Sequence, residues 1–170
     1  MTAVVLELTV RDLTDADLVA CGFAGSELHL TQVAKELDRA RRGEVDYLAV
    51  CTKADLPVAI GGIDYVPHPG AGSLWQLAVH PALQSCGIGT ALIGAAEQRI
   101  AARGLSRAEL GVELSNPRAR ALYERLGYVA YEERLEAWDQ QNPDGSIARY
   151  ETRCAQMRKQ LTSDRRPSDG

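Results

Sequence analysis

The sequence lacks the cysteine and histidine spacing that indicates a disulfide framework or a zinc site. Its four cysteines, Cys21, Cys51, Cys86 and Cys154, are widely separated, with no Cys-x-x-Cys pair and no accompanying histidine cluster. Scattered cysteines of this kind are typical of proteins in a reducing compartment. We therefore expect a cytoplasmic protein that binds no metal.

Long hydrophobic runs are also absent. The stretch 1–13 has a short apolar run that Glu7 and Arg11 interrupt, and it lacks the basic start and long apolar centre of a signal peptide. No other run approaches the length of a membrane span. The sequence thus predicts neither a secretory leader nor a membrane partner.

An excess of positive charge is missing as well. The chain has 19 Lys and Arg against 23 Asp and Glu, a net charge of -4, which argues against a nucleic-acid partner. This balance is compatible with a cationic substrate but does not establish one. With 170 residues and 45% hydrophobic composition, the chain can bury one core. We predict a single domain over 1–160 and a disordered tail over 161–170, whose last eight residues are polar and contain proline.

Strand and helix patterns alternate through the middle of the chain, and a strand hairpin follows them. Thr14 is a plausible helix cap, and Asn116-Pro117 has the preferred order of cap and first helical residue. The turn signal Asn142–Gly145 separates the last two strands. The pattern implies a mixed sheet covered by helices. The predicted strands are 4–10, 45–51, 58–66, 74–79, 107–114, 128–138 and 147–159, and the predicted helices follow Thr14 and span 29–42, the alanine-rich run before Arg103-Gly104, and 118–126.

The stretch 73–104 joins a strand, a glycine turn and a helix, an arrangement that can bind an anionic phosphate. Two glycines at a helix start often have only a structural role. A dinucleotide-binding turn would place its third glycine at Leu92, and a nucleoside-triphosphate loop would need Lys and then Ser or Thr after its last glycine, where this chain has Thr90-Ala91. Neither pattern fits this turn.

Two segments taken together carry a family resemblance. The first is Leu77–Pro81 followed by Gln84-x-x-Gly87-x-Gly89, and the second is Asn116-x-x-Ala119-x-x-x-Tyr123-x-x-x-Gly127-Tyr128. At this order and spacing the pair resembles the acetyl-coenzyme A signature of the GNAT family of N-acetyltransferases. The resemblance covers roughly residues 6–159. It implies an α/β (α+β) fold with a mostly antiparallel sheet of six to seven strands, about four flanking helices, and a splay between strands four and five.

The resemblance also implies acetyl-CoA as the cosubstrate and assigns residues to it. Backbone N–H groups of the turn would bind the pyrophosphate, and pantetheine would lie in the splay like an added strand. The N–H of Leu77 or Val79 could polarise the thioester carbonyl. The turn carries Ser85 and Cys86 where many members have small or basic residues, which costs about 1 kcal/mol or less of surface electrostatics. The implied cofactor-binding residues are Leu77, Ala78, Val79, Gln84, Ser85, Cys86, Gly87, Ile88, Gly89, Thr90, Asn116 and Tyr123.

Tyr123 falls where many members carry a tyrosine beside the sulfur, so it is the implied general acid for the departing thiolate. The structural alternative is core packing beside Leu122 and Leu126. Glu113 is the best available carboxylate for a general base, although it is about as well explained as a solvated strand residue. Histone-type members place a glutamate where this chain has Ser73, Gln76 on that strand cannot accept a proton, and His80 and Asp64 are weaker candidates. A water relay, or an amine that arrives already neutral, would also suffice.

The acceptor is less well defined by the sequence. A small-molecule or peptide amine fits the resemblance, and the segments expected to bind it match no particular acceptor class. A catalytically weak acyl-CoA sensor or assembly module is the alternative function, and a nicotinamide oxidoreductase fails at Leu92. A homodimer through the terminal hairpin is one assembly that the resemblance suggests. The residues in those acceptor segments with suitable chemistry are Glu27, His29, Tyr131, Trp138 and Asp139.

Overall fold

The computed structural model describes residues 1–162, and the last eight residues lie outside it. These residues form one seven-stranded sheet in the order β1-β2-β3-β4-β5-β7-β6. Only β4 and β5 are parallel, and every other neighbouring pair is antiparallel. The strands are β1 Leu8–Asp12, β2 Val45–Thr52, β3 Pro57–Asp64, β4 Ala71–Val79, β5 Arg107–Glu113, β6 Val129–Gln141 and β7 Ile147–Gln160.

Helices cover both faces of the sheet. The three α-helices are α1 Glu27–Arg41, α2 Ile88–Ala102 and α3 Pro117–Arg125. Ser26 fixes the start of α1 by accepting a hydrogen bond from the His29 amide at 3.2 Å. Three short 3-10 helices complete the described residues, at Asp15–Ala20, Gly22–Ala24 and Pro81–Leu83. The fold confirms the mixed, mostly antiparallel sheet that the sequence predicts.

The first strand and the first helix differ from the sequence prediction. Strand 4–10 was expected, but β1 begins at Leu8, because Leu8 pairs with Thr52 at the end of β2 and the preceding residues have no strand to pair with. Val4 and Val5 are consequently exposed. The segment after Thr14 forms 3-10 turns in place of an α-helix, with Thr14 and Asp17 in a reciprocal capping box.

Two hydrophobic clusters lie on opposite faces of the sheet. On one face, α2 packs Leu92, Ile93 and Ile100 against a cluster that includes Leu110 and Met157. On the other, Val33 and Leu37 of α1 pack over residues of β2, β3 and β4. No described residue of β5 or β7 belongs to this second cluster. The α1 face of β5 and β7 is therefore left open for polar side chains.

The end of the described chain is fixed to the sheet. The amide of Leu161 donates a hydrogen bond to the Ser106 carbonyl at 2.7 Å, and its side chain packs against the first cluster. The rest of the predicted disordered tail, Ser163–Gly170, lies outside the described residues. None of the described helices is both long and apolar enough to cross a membrane.

Candidate active site

The parallel strands β4 and β5 separate along their length. They pair from Ala71–Leu74 to Arg107–Leu110, and no pairing between them continues beyond Leu74 and Leu110. Since unpaired strand edges expose backbone N–H and C=O groups, the gap offers hydrogen bonds to an extended ligand. This splay matches the one that the resemblance predicts.

A bulge in β4 accompanies the splay. Pairing with β3 changes from Ile60↔Ala78 to Gly62↔Trp75, so two residues of β4 oppose Gly61. Gln76, one of these two, has φ 54°, and its side-chain oxygen accepts a hydrogen bond from the Tyr47 hydroxyl at 3.0 Å. The bulge thus redirects β4 where the two strands part.

The gap contains a cavity of about 490 Å³, which we call the central cleft. A second cavity of about 570 Å³, the turn cavity, lies at the glycine turn and the start of α2. Asn116 and Ala119 line both cavities, so the two adjoin each other. The central cleft is lined by residues that include Leu77, Gly111, Glu113, Tyr123, Glu136, Trp138 and Cys154, and the turn cavity by residues that include Val79, Gln84, Ser85, Gly87, Gly89, Thr90, Arg118, Leu122 and Arg125.

The backbone of the turn is suited to an anion. Ser85 has φ 62° and Gly87 has φ 82°, and no described residue accepts a hydrogen bond from the amides of Ser85, Cys86 or Gly87. Gly87 is the N-cap of α2, with no side-chain hydrogen bond at the cap. The first-turn amides of α2 are therefore available, and the helix dipole favours negative charge there.

Arg118 is a turn-cavity residue that the sequence argument missed. It lies in the first turn of α3, and its guanidinium donates a hydrogen bond to the Ser85 hydroxyl. Arg125 lines the same cavity from the end of α3. The turn itself has no basic residue, so α3 supplies the positive charge from across the cavity. The position of Arg118 directly after Asn116-Pro117 was the available signal.

The implied cofactor residues divide into two groups. Those whose side chains or Cα positions line one of the two cavities include Gln84, Gly89 and Asn116. The side chains of the second group line neither cavity. Ala78 packs against the α1 cluster, Ile88 is the first residue of α2 and is buried in the other cluster, and Cys86 is exposed with Sγ 3.6 Å from the Gln84 carbonyl oxygen. Any role of this second group in ligand binding would come from its backbone.

Asn116 caps α3, as the sequence predicts. Its Oδ1 accepts a hydrogen bond from the Ala119 amide at 3.1 Å. Because the residue also lines both cavities, the cap places an amide side chain at their junction.

Tyr123 is half-buried at the wall of the central cleft. Its ring packs edge-on against Tyr128, with centroids 6.3 Å apart, and its hydroxyl makes no hydrogen bond to the described part of the chain. Burial raises the pKa of Tyr123 above its ordinary value. The phenol therefore stays protonated at neutral pH and can donate a proton into the cleft.

The candidates for the base are in different surroundings. Glu113 lines the central cleft and accepts a hydrogen bond from the Tyr150 hydroxyl at 2.7 Å. Asp64 is held by Arg39 through two hydrogen bonds of 2.7 and 2.9 Å. His80 caps a 3-10 helix, with Nδ1 accepting from the Ala82 amide at 3.2 Å, and Ser73 has a buried hydroxyl with no described partner. Among these four, only Glu113 lines the central cleft.

Glu136 is a second cleft carboxylate that the sequence argument missed. Together with Glu113 it supplies the only charged side chains among the described residues that line the central cleft. The hairpin strand β6 contains several acidic residues. The sequence does not show which of them faces the cleft, because that depends on the register of β6 against β7, which shifts between Ala130 and Glu132.

The predicted acceptor residues are only partly brought together. His29, Trp138 and Asp139 line a cavity of about 380 Å³ that shares Glu113 and Trp138 with the central cleft. Burial lowers the pKa of His29, so its imidazole is neutral at pH 7. Glu27 does not line this cavity, and Tyr131 donates its hydroxyl to Glu109 at 2.7 Å instead.

Comparison with known proteins places this geometry in a family. Residues 11–128 match the family model described as the acetyltransferase (GNAT) family. The chain is 46% identical over 64 residues to the mycothiol acetyltransferase of Beutenbergia cavernae and 36% identical over 66 residues to that of Paenarthrobacter aurescens. These matches cover 38% and 39% of this chain, and 22% and 20% of the relatives. The chain thus matches about a fifth of their length.

Solved structures show the same fold at low identity. The ribosomal-protein-S18-alanine N-acetyltransferase of Escherichia coli aligns with a TM-score of 0.67 and 21% identity, over 96% of this chain and 100% of that one. A spermidine N-acetyltransferase of Vibrio cholerae, solved with CoA and spermine, aligns with a TM-score of 0.70 and 16% identity, over 91% and 95%. Together with the family match, these findings show that the chain belongs to the GNAT family of acetyltransferases.

Proposed function

We propose that this protein transfers an acetyl group from acetyl-CoA to a cationic primary amine, by direct attack of the amine while both substrates are bound. The observation that carries the proposal is the continuity of the two cavities. One end has free amides and arginines suited to phosphate, and the other has two carboxylates without a described cationic partner. A ligand with a phosphate end and a reactive acyl end fits this arrangement.

The turn and β4 would bind the acetyl donor. The amides of 84–90 and the guanidinium of Arg118 would hold the pyrophosphate, and the free edge of β4 at Leu77 and Val79 would bond the pantetheine. Gly89 fits this role because a Cβ there would lie 3.7 Å from Leu122 and 3.8 Å from Val79, ordinary contact distances. The protein's own packing therefore leaves room for a Cβ at this position, so a bound ligand is the proposed reason for a glycine. Bound there, acetyl-CoA supplies an activated acetyl thioester.

Tyr123 is the proposed general acid. Its phenol would give a proton to the departing sulfur, and its raised pKa keeps that proton in place at neutral pH. A backbone N–H of β4 would stabilise the oxyanion. Cys154, the cysteine that lines the central cleft, is a poor nucleophile, because burial first, and then the nearby Glu136, raise the pKa of its thiol to about 12. The proposed route is therefore direct transfer, without an acyl-enzyme.

The proposed preference for a cationic amine rests on the negative charge of the central cleft. Glu113 and Glu136 give the central cleft two negative charges and no positive one among the described lining residues. Such a cleft attracts an ammonium group and repels a carboxylate. The relatives carry names that refer to mycothiol, an S18 alanine and spermidine, so they share acetyl transfer but not one acceptor.

The test is a screen of primary amines with acetyl-CoA, following the release of free thiol. We expect acceptor-dependent release, faster for cationic amines than for those with a neighbouring carboxylate. The alternative function, an acyl-CoA sensor, is favoured by Ser73 standing where a carboxylate was expected. Tight CoA binding without turnover across the panel would support the sensor and refute the enzyme.

A further inference from the structure

We propose that Glu136 takes the proton from the acceptor amine. The inference rests on the proposed acetyl transfer and deepens it by naming a catalytic residue that lies outside the motifs. It depends on the position of Glu136, on its partners, and on the pairing of the other carboxylates.

The Glu136 carboxylate lies above a glycine of β5. Its Oε1 accepts a hydrogen bond from Nε2 of Gln156 at 2.8 Å and lies 3.6 Å from the point where a Cβ of Gly111 would be. The same Cβ would lie 3.2 Å from Nε2 of Gln156, closer than side chains usually approach. The absence of a side chain at Gly111 therefore makes room for both the amide and the carboxylate it orients.

Gly111 marks the closed end of the splay. It directly follows Leu110, whose pairing with Leu74 is the last between β4 and β5. The phosphate-binding turn lies at the other end of β4, so a ligand anchored there extends its reactive end toward Gly111. Glu113 lies two residues further along β5, roughly 6–7 Å away at the rise of a strand. Of the two cleft carboxylates, Glu136 is thus the one that lies over the closed end of the splay, toward which the acyl group of such a ligand would extend.

Two of the neighbouring carboxylates on this side of the sheet have cationic partners, and the third, Glu113, accepts a hydrogen bond from the Tyr150 hydroxyl. Asp64 is paired with Arg39, and Glu109 lies 2.8 Å from Nε of Arg107. Glu136 pairs with no cation in the described part of the chain, and the groups that face it, the Gln156 amide and the Cys154 thiol, are both neutral donors. It also lines the adjoining cavity of about 390 Å³ on the open face of β5 and β7. A carboxylate in this position can both attract an ammonium ion and accept its proton.

The proton balance is closed by two residues. Glu136 takes one proton from the ammonium group, and the neutral nitrogen then forms the C–N bond to the thioester carbon. As the C–S bond breaks, the sulfur takes the proton of Tyr123, and the tyrosine oxygen recovers a proton from the nitrogen. The products are the amide, the free thiol and a protonated Glu136, which releases its proton to solvent.

The test compares Glu136→Gln with wild type on ethylamine and on trifluoroethylamine, at saturating acetyl-CoA. Ethylamine is almost fully protonated at neutral pH, whereas trifluoroethylamine is mostly neutral and needs no base. We expect Glu136→Gln to lower kcat/KM for ethylamine about 100-fold or more, the usual contribution of a general base. For trifluoroethylamine the loss should be only a few-fold.

The pH profile provides a readout that a structural role would not change. With ethylamine, kcat/KM of Glu136→Gln should rise about tenfold per pH unit around neutrality, following the free-amine fraction. The kcat/KM of wild type for ethylamine should change little over the same pH range. Glu132→Gln is the matched control, because Glu132 lies on the same strand and pairs with Arg134. CoA affinity and melting temperature should be the same in all three proteins.

Three results would overturn the inference alone. The first is an unchanged kcat/KM of Glu136→Gln for ethylamine, and the second is an equal loss of kcat/KM for both amines. The third is a selective loss with ethylamine in Glu113→Gln and not in Glu136→Gln. Absence of thiol release by wild type with either amine would instead overturn the proposed function together with this proton step.

Discussion

Arg118 donates a hydrogen bond to the hydroxyl of Ser85, 33 residues earlier in the chain. The contact joins the first turn of α3 to the glycine turn before α2. It places a permanent positive charge beside backbone amides that have no described acceptor. The cation missing from the turn sequence is thus supplied by a different element.

Arg118→Gln should weaken CoA binding about fivefold to tenfold, because an exposed charge of this kind contributes about 1 kcal/mol. Calorimetric titration with CoA measures the change, which should shrink as salt concentration rises. Arg120→Gln is the control, since Arg120 pairs with Glu124 on the same helix. Equal affinities of the Arg118 and Arg120 variants would remove Arg118 from the phosphate site.

Tyr123→Phe should lower kcat about 100-fold and leave CoA affinity unchanged, because it removes the acid without removing the ring. Steady-state thiol release over a pH series, at varied CoA-donor concentration, measures both kcat and the affinity for the donor. Tyr128→Phe controls for ring packing; it loses the 3.0 Å hydrogen bond to Glu97 and should affect stability more than turnover. If Tyr123→Phe keeps the wild-type rate and profile, another group protonates the sulfur.

Cys86 should be the one described cysteine that reacts quickly with a thiol reagent. It is exposed, whereas Cys21, Cys51 and Cys154 are buried and burial raises the pKa of each thiol. CoA should slow the reaction, since Cys86 lies in the turn proposed to hold the pyrophosphate. Counting the modified thiols with and without CoA tests this, and a modification rate that CoA does not change would place the ligand elsewhere.

Asp17 should stabilise the fold in a pH-dependent way. Arg11 donates two hydrogen bonds to it, of 2.7 and 2.9 Å, and this guanidinium lowers the pKa of Asp17 from 3.8 to about 2. Since the folded-state pKa is depressed, the stabilisation is fully present above about pH 4 and is lost as the pH falls toward 2.

Asp17→Asn should therefore lower the free energy of unfolding by roughly 2 kcal/mol at neutral pH. Near pH 2 the substitution should cause no such loss relative to wild type. Denaturant titrations at several pH values measure the difference. Asp55→Asn is the control, since Asp55 is mostly exposed and its contact with Arg11 contributes less than about 1 kcal/mol. A pH-independent effect of Asp17→Asn would show that the ion pair is not its cause.

The sequence predicted the elements whose signals are local. The Asn116 cap, the strand before Pro81 and the glycine turn all depend on neighbouring residues, and the structure has them at the predicted places. The start of β1 was wrong because it depends on where β2 ends, and the helix after Thr14 was wrong because two short 3-10 turns fill that connection.

The site was harder to predict where it depends on contacts between distant elements. Arg118 reaches Ser85 across a cavity, and Glu136 reaches the space above Gly111 from the terminal hairpin. Neither contact has a spacing that a linear motif can record. The donor residues were therefore more accessible to sequence reasoning than the acidic side of the central cleft.

The rate of acceptor-dependent thiol release in wild type, Gly89→Leu and Gly94→Leu tests the central claim most directly. Both glycines lie in α2, but Gly89 lines the turn cavity, whereas Gly94 has open space around it. We expect wild type and Gly94→Leu to release thiol at similar rates and Gly89→Leu to lose CoA binding and turnover together. Turnover by Gly89→Leu at the wild-type rate, or no release by wild type with any amine, would contradict acetyl transfer from a donor bound in this cleft.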